Sequence, residues 1–430
     1  MSDTFHVAIV GGGLGGLALA IGLTQRSIPY TIYEARASFG EYIGAGINLG
    51  PNTLRTLNLI DGSLGNDIFS LCTRNRSGSE NVWMQVRFGA PTDRYKDAEL
   101  ITDLIAAPTG NTTLGRNELL QTMARKAGLE HAKFDSKLST IEQTDSGVTL
   151  RFADGTVDTA SVVVACDGIH SAARKAMLKP GDPAAIPHYT FGGAYRAVLD
   201  MADVEQALGP ATARISQLRV GPGGYIIMYP MENGQKVNAG FWPVMTEPWN
   251  DDADWVVPAQ GAQMRKQFAA WGETAHKIMD MMGDPPFFAT FSHTIQPESL
   301  VDRRVALIGD SAHSSPPHQG AGAGQAAEDG YVMMEVLQEL VTRCPHPTTA
   351  QIEAALKAFE EVRKPRYQRV LETSVEAMDF WANLHHQSLT EDEVQRFIEK
   401  ANERFEWIWR HDLIADAKRA QEALNDVLRS

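Results

Sequence analysis

The feature that most constrains the fold is a strand, a glycine-rich turn and a helix near the N-terminus. Phe5–Val10 is an apolar run typical of a buried parallel strand, and a helix is predicted over Leu17 to Gln25. Between them, Gly11, Gly13 and Gly16 have the spacing GxGxxG. In such a turn the first glycine permits the tight bend, the second admits a pyrophosphate, and the third lets the helix pack closely on the strand. The segment therefore predicts an α/β fold that begins with a dinucleotide-binding unit.

The next strand supports this prediction. Tyr30–Tyr33 ends in Glu34, about twenty residues after the glycines, where a carboxylate accepts a hydrogen bond from a ribose hydroxyl. Arg36 follows, either beside the bound nucleotide or as a solvated surface charge. Arg116 begins another predicted helix, where the helix dipole disfavours a cation. A phosphate ligand explains Arg116 slightly better than a surface position does.

A late segment has the composition of a second binding loop. The apolar run Val305–Ile308 predicts a buried strand, and Asp310 stands at its carboxyl end, where open α/β sheets bind ligands. Pro316 and Pro317 stiffen the turn, and three glycines up to Gly324 expose backbone to a flat ligand. A helix predicted from about Gly322 directs free N–H groups at the site, which suits a cofactor that becomes anionic when reduced. The alternative is an ordinary glycine-rich loop between a strand and a helix.

A third strand ends in a similar way. Ser161–Ala165 is apolar and runs into Cys166-Asp167-Gly168. Alone, a strand followed by Asp-Gly is more often structural than functional. Its value comes from its place between the other two motifs.

Charge and composition exclude several classes of protein. The chain has 430 residues, is 43% hydrophobic and 21% charged, and carries a net charge of −14. Such an acidic protein is not expected to bind nucleic acid or an anionic membrane as its main partner. Its three cysteines form no CxxC pair, so neither a disulfide framework nor a metal site is predicted. Without a basic signal-peptide region or a long apolar stretch, the chain is expected to be soluble and cytoplasmic.

The pattern along the chain predicts three regions. Residues 1–180 and 292–345 are expected to form the dinucleotide-binding domain, with a short sheet excursion near 69–104 that joins the substrate side. Residues 181–291 are expected to form an inserted mixed-sheet substrate domain, and residues 346–430 a C-terminal helical region. A helix is predicted over Ala350 to Val362, with a resumption at Tyr367 after Arg363-Lys364-Pro365-Arg366. Thr390 and Glu393 resemble a capping box.

Taken in order, Gly11-x-Gly13-x-x-Gly16, Asp167-Gly168 and Gly309-Asp310 resemble the motifs of single-component FAD-dependent aromatic hydroxylases, the group A flavoprotein monooxygenases. The resemblance extends over nearly the whole chain. More narrowly, the segment from Pro317 to Gln325, with Trp271 and Trp407-Ile408-Trp409, is similar to salicylate hydroxylases of the fungal kind. It implies a Rossmann-type FAD-binding domain, FAD as cofactor, NADH or NADPH as reductant, and O₂.

The resemblance also implies roles for individual residues at the cofactor. They are Gly11, Gly13 and Gly16 at the pyrophosphate, Glu34 at the ribose, Arg36 near the adenosine or flavin, Arg116 at the pyrophosphate or ribityl chain, Asp310 at the ribityl chain, Gly322 and Ala323 at the flavin pyrimidine, Asp167 at both FAD and NAD(P)H, and Pro317 with its carbonyl at the reacting edge.

The implied reaction is hydroxylation of a phenolic aromatic acid through a flavin C4a-hydroperoxide, with decarboxylation of salicylate to catechol as the leading case. Arg196 is a candidate to pair with the carboxylate or phenolate, Tyr229 to bind the phenol oxygen, and His318 to act as base or orienting group with a pKa suited to neutral pH. The alternatives are an arginine paired with a local acid, a core tyrosine and a histidine that caps the turn.

Other functions remain open at this stage. A related phenol hydroxylase that dearomatises a polyketide shares much of the pattern. A flavin halogenase fits less well, since Trp407-Ile408-Trp409 lacks the following Ile-Pro. A dinucleotide-binding sensor without turnover would not need Asp310 beside a bare turn. The sequence leaves a homodimer open and does not separate NADH from NADPH.

Overall fold

The computed structural model describes residues 5–39, 46–250 and 253–429, and the first four residues of the N-terminal stretch, which is predicted not to be a signal peptide, lie outside these ranges. The strands are, in chain order, β1 (Val7–Val10), β2 (Tyr30–Tyr33), β3 (Ile47–Leu49), β4 (Thr73–Arg74), β5 (Val82–Phe88), β6 (Leu100–Ile105), β7 (Thr112–Leu114), β8 (Ala132–Lys133), β9 (Leu138–Gln143), β10 (Val148–Phe152), β11 (Val157–Ala160), β12 (Val162–Ala165), β13 (His188–Asp200), β14 (Gln217–Gly221), β15 (Gly224–Met231), β16 (Lys236–Pro243), β17 (Val256–Val257), β18 (Phe287–Ser292), β19 (Val301–Asp302) and β20 (Val305–Leu307). The α-helices are α1 (Leu14–Gln25), α2 (Pro51–Ile60), α3 (Leu64–Leu71), α4 (Arg116–Ala127), α5 (Ala172–Met177), α6 (Met201–Leu208), α7 (Pro210–Ala213), α8 (Gly261–Gln267), α9 (Glu273–Met282), α10 (Asp310–His313), α11 (Gly322–Arg343), α12 (Thr349–Ala382), α13 (Glu391–Trp409) and α14 (Leu413–Arg429). Short 3-10 helices cover Leu129–His131, Pro183–Ala185 and Pro317–Gln319.

The predicted dinucleotide-binding unit is a six-stranded sheet in the order β19-β20-β12-β1-β2-β8, parallel except for β19. Every residue of β1 is buried, because both faces of the sheet are covered. Val7 and Ile9 pack in the core that contains α1 and α11, whereas Ala8 and Val10 pack with the antiparallel sheet β11-β10-β9. The predicted Rossmann-type α/β fold is thus confirmed.

Two glycines allow α1 and α11 to lie against each other. A Cβ atom on Gly22 would stand 2.2 Å from Sδ of Met334, and one on Gly330 would stand 3.0 Å from Cβ of Ala18. A side chain at either position would force its neighbours to shift. The close packing fixes the N-terminus of α11 relative to the glycine-rich turn before α1.

The second large sheet has eight strands in the order β17-β18-β13-β16-β15-β14-β5-β6, and it is mixed because β14 and β5 run parallel. Its side chains alternate between two cores. Ile226, Met228 and Phe241 pack in the core that contains α8 and α9. Tyr225 and Trp242 pack in a different core, with residues of α12 and α13. The expected mixed sheet is therefore confirmed, while the domain boundaries given above stay a prediction.

The C-terminal region contains one difference from the sequence prediction. The interruption expected at Arg363-Lys364-Pro365-Arg366 is wrong, since α12 continues through Pro365 and is 34 residues long. Proline cannot donate to the carbonyl four residues earlier, which here belongs to Glu361. Glu361 and Pro365 are both on the exposed side of the helix, so water can satisfy that carbonyl.

The uninterrupted α12 joins the two halves of the molecule. Its N-terminal part packs in the core of the six-stranded sheet through Ile352 and Phe359, and its C-terminal part packs in the core of the eight-stranded sheet through Val370 and Trp381. The expected capping box of Thr390 and Glu393 is present at the start of α13. In the described ranges, every helix is too short or too polar to cross a membrane.

Candidate functional site

The three sequence motifs meet at one edge of the six-stranded sheet. β1, β12 and β20 are parallel neighbours, so the turns after them lie side by side at their carboxyl ends. Gly11 has a φ of +102°, and a Cβ atom there would stand 2.4 Å from the carbonyl oxygen of Cys166 and 3.0 Å from Cα of Asp167. The first and second motifs are thus in direct contact.

The glycines of the first turn differ in what surrounds them. A Cβ atom on Gly16 would stand 2.1 Å from the carbonyl oxygen of Gly11, which matches the close packing expected of the third glycine. Gly13, by contrast, has no atom within 4 Å of its Cβ position. Gly13 also precedes α1 without a side chain that caps the helix, and the first turn contains no acid. Open space thus lies at a helix N-terminus, where an anion is stabilised.

Glu34 lies at the end of β2 and is half-buried. Its Oε2 accepts a hydrogen bond from the backbone N–H of Gly12 at 2.8 Å, and its Oε1 accepts one from the N–H of Arg36 at 2.9 Å. These bonds hold the carboxylate against the glycine-rich turn. Arg36 is exposed, and Arg116 is exposed at the first position of α4.

The Asp167 carboxylate stabilises the N-terminus of α5. It accepts hydrogen bonds from the hydroxyl of Ser171 at 2.5 Å and from the N–H groups of Ala172 and Ala173 at 2.7 and 3.1 Å, so it caps α5. Burial raises the pKa of this carboxyl above its usual value, although the hydrogen bond from Ser171 works in the opposite direction. These bonds fix the Asp167 carboxylate at the start of α5, and the cofactor contact given to Asp167 stays a prediction.

The loop after β20 places an acid and a helix start at the same edge. Asp310 is exposed at the first position of α10. The buried guanidinium of Arg174 secures this short helix, since its Nη1 donates to the carbonyl oxygens of Ser311 and Ala312 at 3.0 and 2.7 Å. Pro317 is exposed in the 3-10 turn that follows.

The predicted helix start at Gly322 is confirmed. α11 begins there without a capping side chain and without an acid in its first turn. A Cβ atom on Gly322 would meet nothing within 4 Å, and Ala323 is only half-buried. The helix therefore presents unpaired N–H groups to open space.

This set of groups fits a flavin dinucleotide. The space at Gly13 and the N-terminus of α1 suit a pyrophosphate, Glu34 suits a ribose, Asp310 suits a polyol chain, and the N-terminus of α11 suits a ring system that carries negative charge. The fit rests on open backbone and helix ends at one sheet edge.

Two of the predicted substrate residues lie together on the eight-stranded sheet. Arg196 of β13 is half-buried, and its Nη2 donates to Oδ1 of Asn238 at 3.3 Å. Tyr229 of β15 pairs in register with Asn238, and its hydroxyl donates to the carbonyl of Gly46 at 3.1 Å. Burial raises the pKa of Tyr229, and the neighbouring Arg196 partly offsets this rise. The structure thus brings Arg196 and Tyr229 together, with Tyr229 bonded to the chain that precedes β3.

His318 lies beside a different part of this sheet, and one expectation about it is wrong. Burial lowers the pKa of His318 to about 3, far from the value near neutrality that was predicted. Its Nδ1 lies 2.5 Å from the hydroxyl of Tyr225, and Trp242 packs edge-on against its ring at 5.4 Å. His318 is therefore an uncharged ring held by two aromatic side chains of the second sheet.

The sequence reasoning also missed a set of buried charges behind the loop, which we call the ion-pair cluster. It consists of Glu328, Asp329, Arg363, Arg366 and Asp416. Arg363 is fully buried and bonds to Glu328 and Asp329 at 3.0 and 2.9 Å. Asp329 also accepts the N–H of Gly309 at 2.8 Å and contacts His313 at 2.6 Å. The cluster therefore ties α11 and the loop that carries Asp310 to α12.

A signal for this cluster exists in the sequence. Glu328 and Asp329 are adjacent acids between the apolar runs of α11, and Arg363 and Arg366 are spaced to share one helix face. For Tyr225 and Trp242 the signal is weaker, because aromatic residues in a strand most often belong to the core.

Known proteins with FAD-binding domains resemble this chain in sequence and in fold. The family model described as FAD binding domain matches residues 4–374. A 6-methylsalicylate 1-monooxygenase of Aspergillus terreus is 34% identical over 433 residues, which cover 99% of this chain and 94% of that protein. A salicylate hydroxylase of Pseudomonas putida is 32% identical over 430 residues, which cover 97% of this chain and 95% of that protein. A solved salicylate hydroxylase substrate complex superimposes with a TM-score of 0.84 at 27% identity and covers 98% of both chains.

Proposed function

The chain belongs to the family of proteins built on this FAD-binding domain and is a FAD-dependent monooxygenase, and from that premise we propose that it hydroxylates a phenolic aromatic acid. The leading substrate is salicylate, which would be hydroxylated at the carboxyl-bearing carbon to give catechol and CO₂. NADH or NADPH would serve as reductant.

The observation that carries this proposal is a strip of the eight-stranded sheet between Arg196 and Trp242. Gly240 of β16 pairs in register with Arg196, and a Cβ atom on Gly240 would stand 3.1 Å from Nε1 of Trp242 and 3.9 Å from Cγ of Arg196. The strip thus places a cation and an aromatic ring against one glycine, with His318 beyond the ring. A guanidinium pairs well with a carboxylate, and aromatic rings pack favourably against each other.

The cofactor would be held by the groups at the sheet edge: Gly11, Gly13 and Gly16 at the pyrophosphate, Glu34, Arg36 and Arg116 toward the adenosine half, and Asp310, Gly322 and Ala323 toward the flavin. When bound and reduced, FAD supplies activation of O₂ and an electrophilic oxygen atom. The balanced reaction consumes salicylate, NAD(P)H, O₂ and two protons, and yields catechol, CO₂, water and NAD(P)⁺.

The protein's own residues contribute position and exclusion of water. Arg196 holds the substrate carboxylate, which orients the carboxyl-bearing carbon toward the loop around Pro317. Tyr225, Trp242 and His318 close one side of the strip with buried rings, so water is kept from the reacting centre. Tyr229 positions Arg196 through the contact between them.

The direct test uses the FAD-loaded protein with NADH and NADPH in turn, and salicylate that is ¹⁴C-labelled in its carboxyl group. We expect release of one labelled CO₂ and formation of one catechol for each NAD(P)H oxidised, and similar turnover with 6-methylsalicylate. A hydroxylated product that keeps the label would replace decarboxylation with ring hydroxylation or dearomatisation. Absence of any phenol-dependent NAD(P)H oxidation would favour a sensor.

Arg196→Ala tests the role given to the cation. Because hydrogen bonds to charged groups are the stronger ones, KM for salicylate should rise roughly tenfold to a hundredfold, whereas KM for unsubstituted phenol should hardly change. Arg151→Ala is a matched control, since Arg151 is another strand arginine that pairs with Glu142 on the small antiparallel sheet. Unchanged salicylate affinity in Arg196→Ala would contradict the assignment.

A further inference from the structure

A hydrogen bond joins the cofactor loop to the substrate sheet. His318 lies in the 3-10 turn Pro317–Gln319, and Tyr225 lies in β15, 93 residues earlier in the chain. Nδ1 of His318 and the hydroxyl oxygen of Tyr225 are 2.5 Å apart, and the two side chains are 4% and 0% exposed. With so little water nearby, the position of each hydrogen atom is decided by the few partners that the protein provides.

The partners of Tyr225 determine which atom donates. In the part of the chain that the structure describes, Nδ1 of His318 is the hydroxyl's one hydrogen-bond partner. If Nδ1 carried a hydrogen and donated it, the hydroxyl's own hydrogen would be buried without an acceptor, which is unfavourable. The hydroxyl therefore donates, and Nδ1 accepts.

Neither group ionises near neutral pH. Burial raises the pKa of Tyr225 well above its usual value and lowers the pKa of His318 to about 3. The imidazole is thus neutral and carries one hydrogen. Since Nδ1 is the acceptor, that hydrogen is on Nε2.

The orientation of the ring is fixed on several sides. Tyr225 and Trp242 stack at 5.8 Å with planes 6° apart, and Trp242 meets the imidazole edge-on at an interplanar angle of 82°. Nε1 of Trp381 donates to the backbone carbonyl of His318 at 3.3 Å. Across residues 5–39, 46–250 and 253–429, Nε2 of His318 has no protein partner. This atom nevertheless keeps some accessible surface. The imidazole lies on the face of the sheet that carries Gly240, because it contacts Tyr225 and Trp242, whose side chains are on that face.

We propose that Tyr225 is a positioning residue that holds His318 with its hydrogen on Nε2, so that His318 donates a hydrogen bond to the phenolic oxygen of the substrate instead of removing a proton from it. This inference rests on the proposed function, and it narrows the substrate class. A phenol that accepts this bond keeps its own hydrogen, which needs an acceptor of its own. A carboxylate ortho to the hydroxyl supplies that acceptor within the substrate, so ortho-hydroxy aromatic acids are favoured over their meta and para isomers.

The first experiment measures the hydrogen directly. The FAD-loaded protein is labelled with ¹⁵N-histidine, the resonances of His318 are assigned with His318→Gln, and both ring nitrogens are followed from pH 5 to 9 without substrate. We expect Nδ1 in the unprotonated range and Nε2 in the protonated range throughout. A protonated Nδ1, or a ring that titrates within this interval, would overturn the inference.

The second experiment uses Tyr225→Phe with Tyr195→Phe as control. Tyr195 is equally buried and its hydroxyl donates to Gln267 at 2.6 Å, but its side chain packs in the core on the opposite side of the sheet. Tyr225→Phe should shift the nitrogen resonances of His318 and weaken salicylate binding roughly tenfold, with FAD content unchanged. Tyr195→Phe should change neither. Unshifted His318 resonances in Tyr225→Phe would contradict the positioning role.

Binding of isomers completes the test. Salicylate should bind at least about tenfold more tightly than 4-hydroxybenzoate, and equal affinities would count against the donor role. A protein with the expected hydrogen on Nε2 that binds and oxidises no phenolic acid would overturn the proposed function and the donor role together. Salicylate turnover by a protein with hydrogen on Nδ1 would overturn this inference alone.

Discussion

Two buried polar regions lie at either end of the segment from His318 to Asp329, and they differ in charge. The ion-pair cluster around Glu328 and Arg363 is ionised, and its carboxylates and guanidinium groups bond to each other. The group of Tyr225, Trp242 and His318, which we call the aromatic wall, is uncharged, and within the described ranges Nε2 of its His318 has no protein partner. Both are nearly inaccessible to water.

The difference shows how one short segment serves two purposes. A fully paired set of charges has no capacity left for a ligand, and breaking any pair leaves a buried charge behind. It is suited to fixing α11 and the Asp310 loop against α12. The aromatic wall carries no such charges, and in the role proposed above its His318 donates a hydrogen bond to the substrate. We therefore propose that separate groups of residues hold the cofactor loop and recognise the substrate.

The strongest challenge to this comparison is Arg363→Met. The substitution keeps much of the side chain's volume but leaves Glu328, Asp329 and Asp416 with less compensating charge. The free energy of unfolding should fall by about 3–5 kcal/mol, measured by urea denaturation of the FAD-loaded protein.

Two controls set the scale for this result. Arg410→Met removes an exposed ion pair with Glu406 and should cost less than about 1 kcal/mol. Tyr225→Phe removes one neutral hydrogen bond of the aromatic wall and should cost about 1–2 kcal/mol. If Tyr225→Phe destabilised the protein as much as Arg363→Met, the distinction between a stabilising cluster and a recognition surface would fail.

The two regions should lose their contributions to stability over different ranges of pH. His318 is neutral in the folded protein down to about pH 3, but in the unfolded chain it binds a proton below its usual value of 6.5. Stability is therefore lost as pH falls from 6.5, and His293, whose pKa is likewise lowered to about 3 by burial, adds to the loss. Burial alone would raise the pKa of Glu328, but Arg366 and Arg363 outweigh it and lower the pKa to about 2. Its contribution is complete above 4.5 and is lost only as pH falls from 4.5 toward 2.

Unfolding free energies between pH 8 and 3.5 test these windows. His318→Gln should remove about 2–3 kcal/mol of the loss between pH 6.5 and 4.5, because two pH units at 1.36 kcal/mol each are no longer linked to that ring. Glu328→Gln should leave that interval unchanged and flatten only the part below pH 4.5. If Glu328→Gln altered the upper interval, or His318→Gln left it as steep as before, the assignment of charge to the two regions would be wrong.

The sequence predicts one region far better than the other. Gly11, Gly13 and Gly16 have a fixed spacing with a fixed backbone requirement, so the sheet edge follows from local pattern, although α1 begins at Leu14 and not at the predicted Leu17. The aromatic wall depends on a contact across 93 residues. The pKa of His318 depends on burial, which the residues around it in sequence do not reveal. The wrong value near neutrality comes from using the pKa of a free histidine at a position that the fold makes dry.

Pro365→Ala has the smallest expected effect, and it tests why α12 continues through a proline that was predicted to interrupt it. A proline inside a helix costs about 3 kcal/mol relative to alanine, but proline also restricts the unfolded chain by roughly 1 kcal/mol. Because Pro365 and Glu361 are exposed, the freed carbonyl is solvated, and Pro365→Ala should raise the free energy of unfolding by about 1–2 kcal/mol. Arg363 and Arg366 lie on either side of this residue, and both reach Glu328. A loss of stability in Pro365→Ala would therefore mean that the proline shapes the helix to aim both arginines at one carboxylate. In that case the ion-pair cluster would depend on backbone geometry as well as on charge.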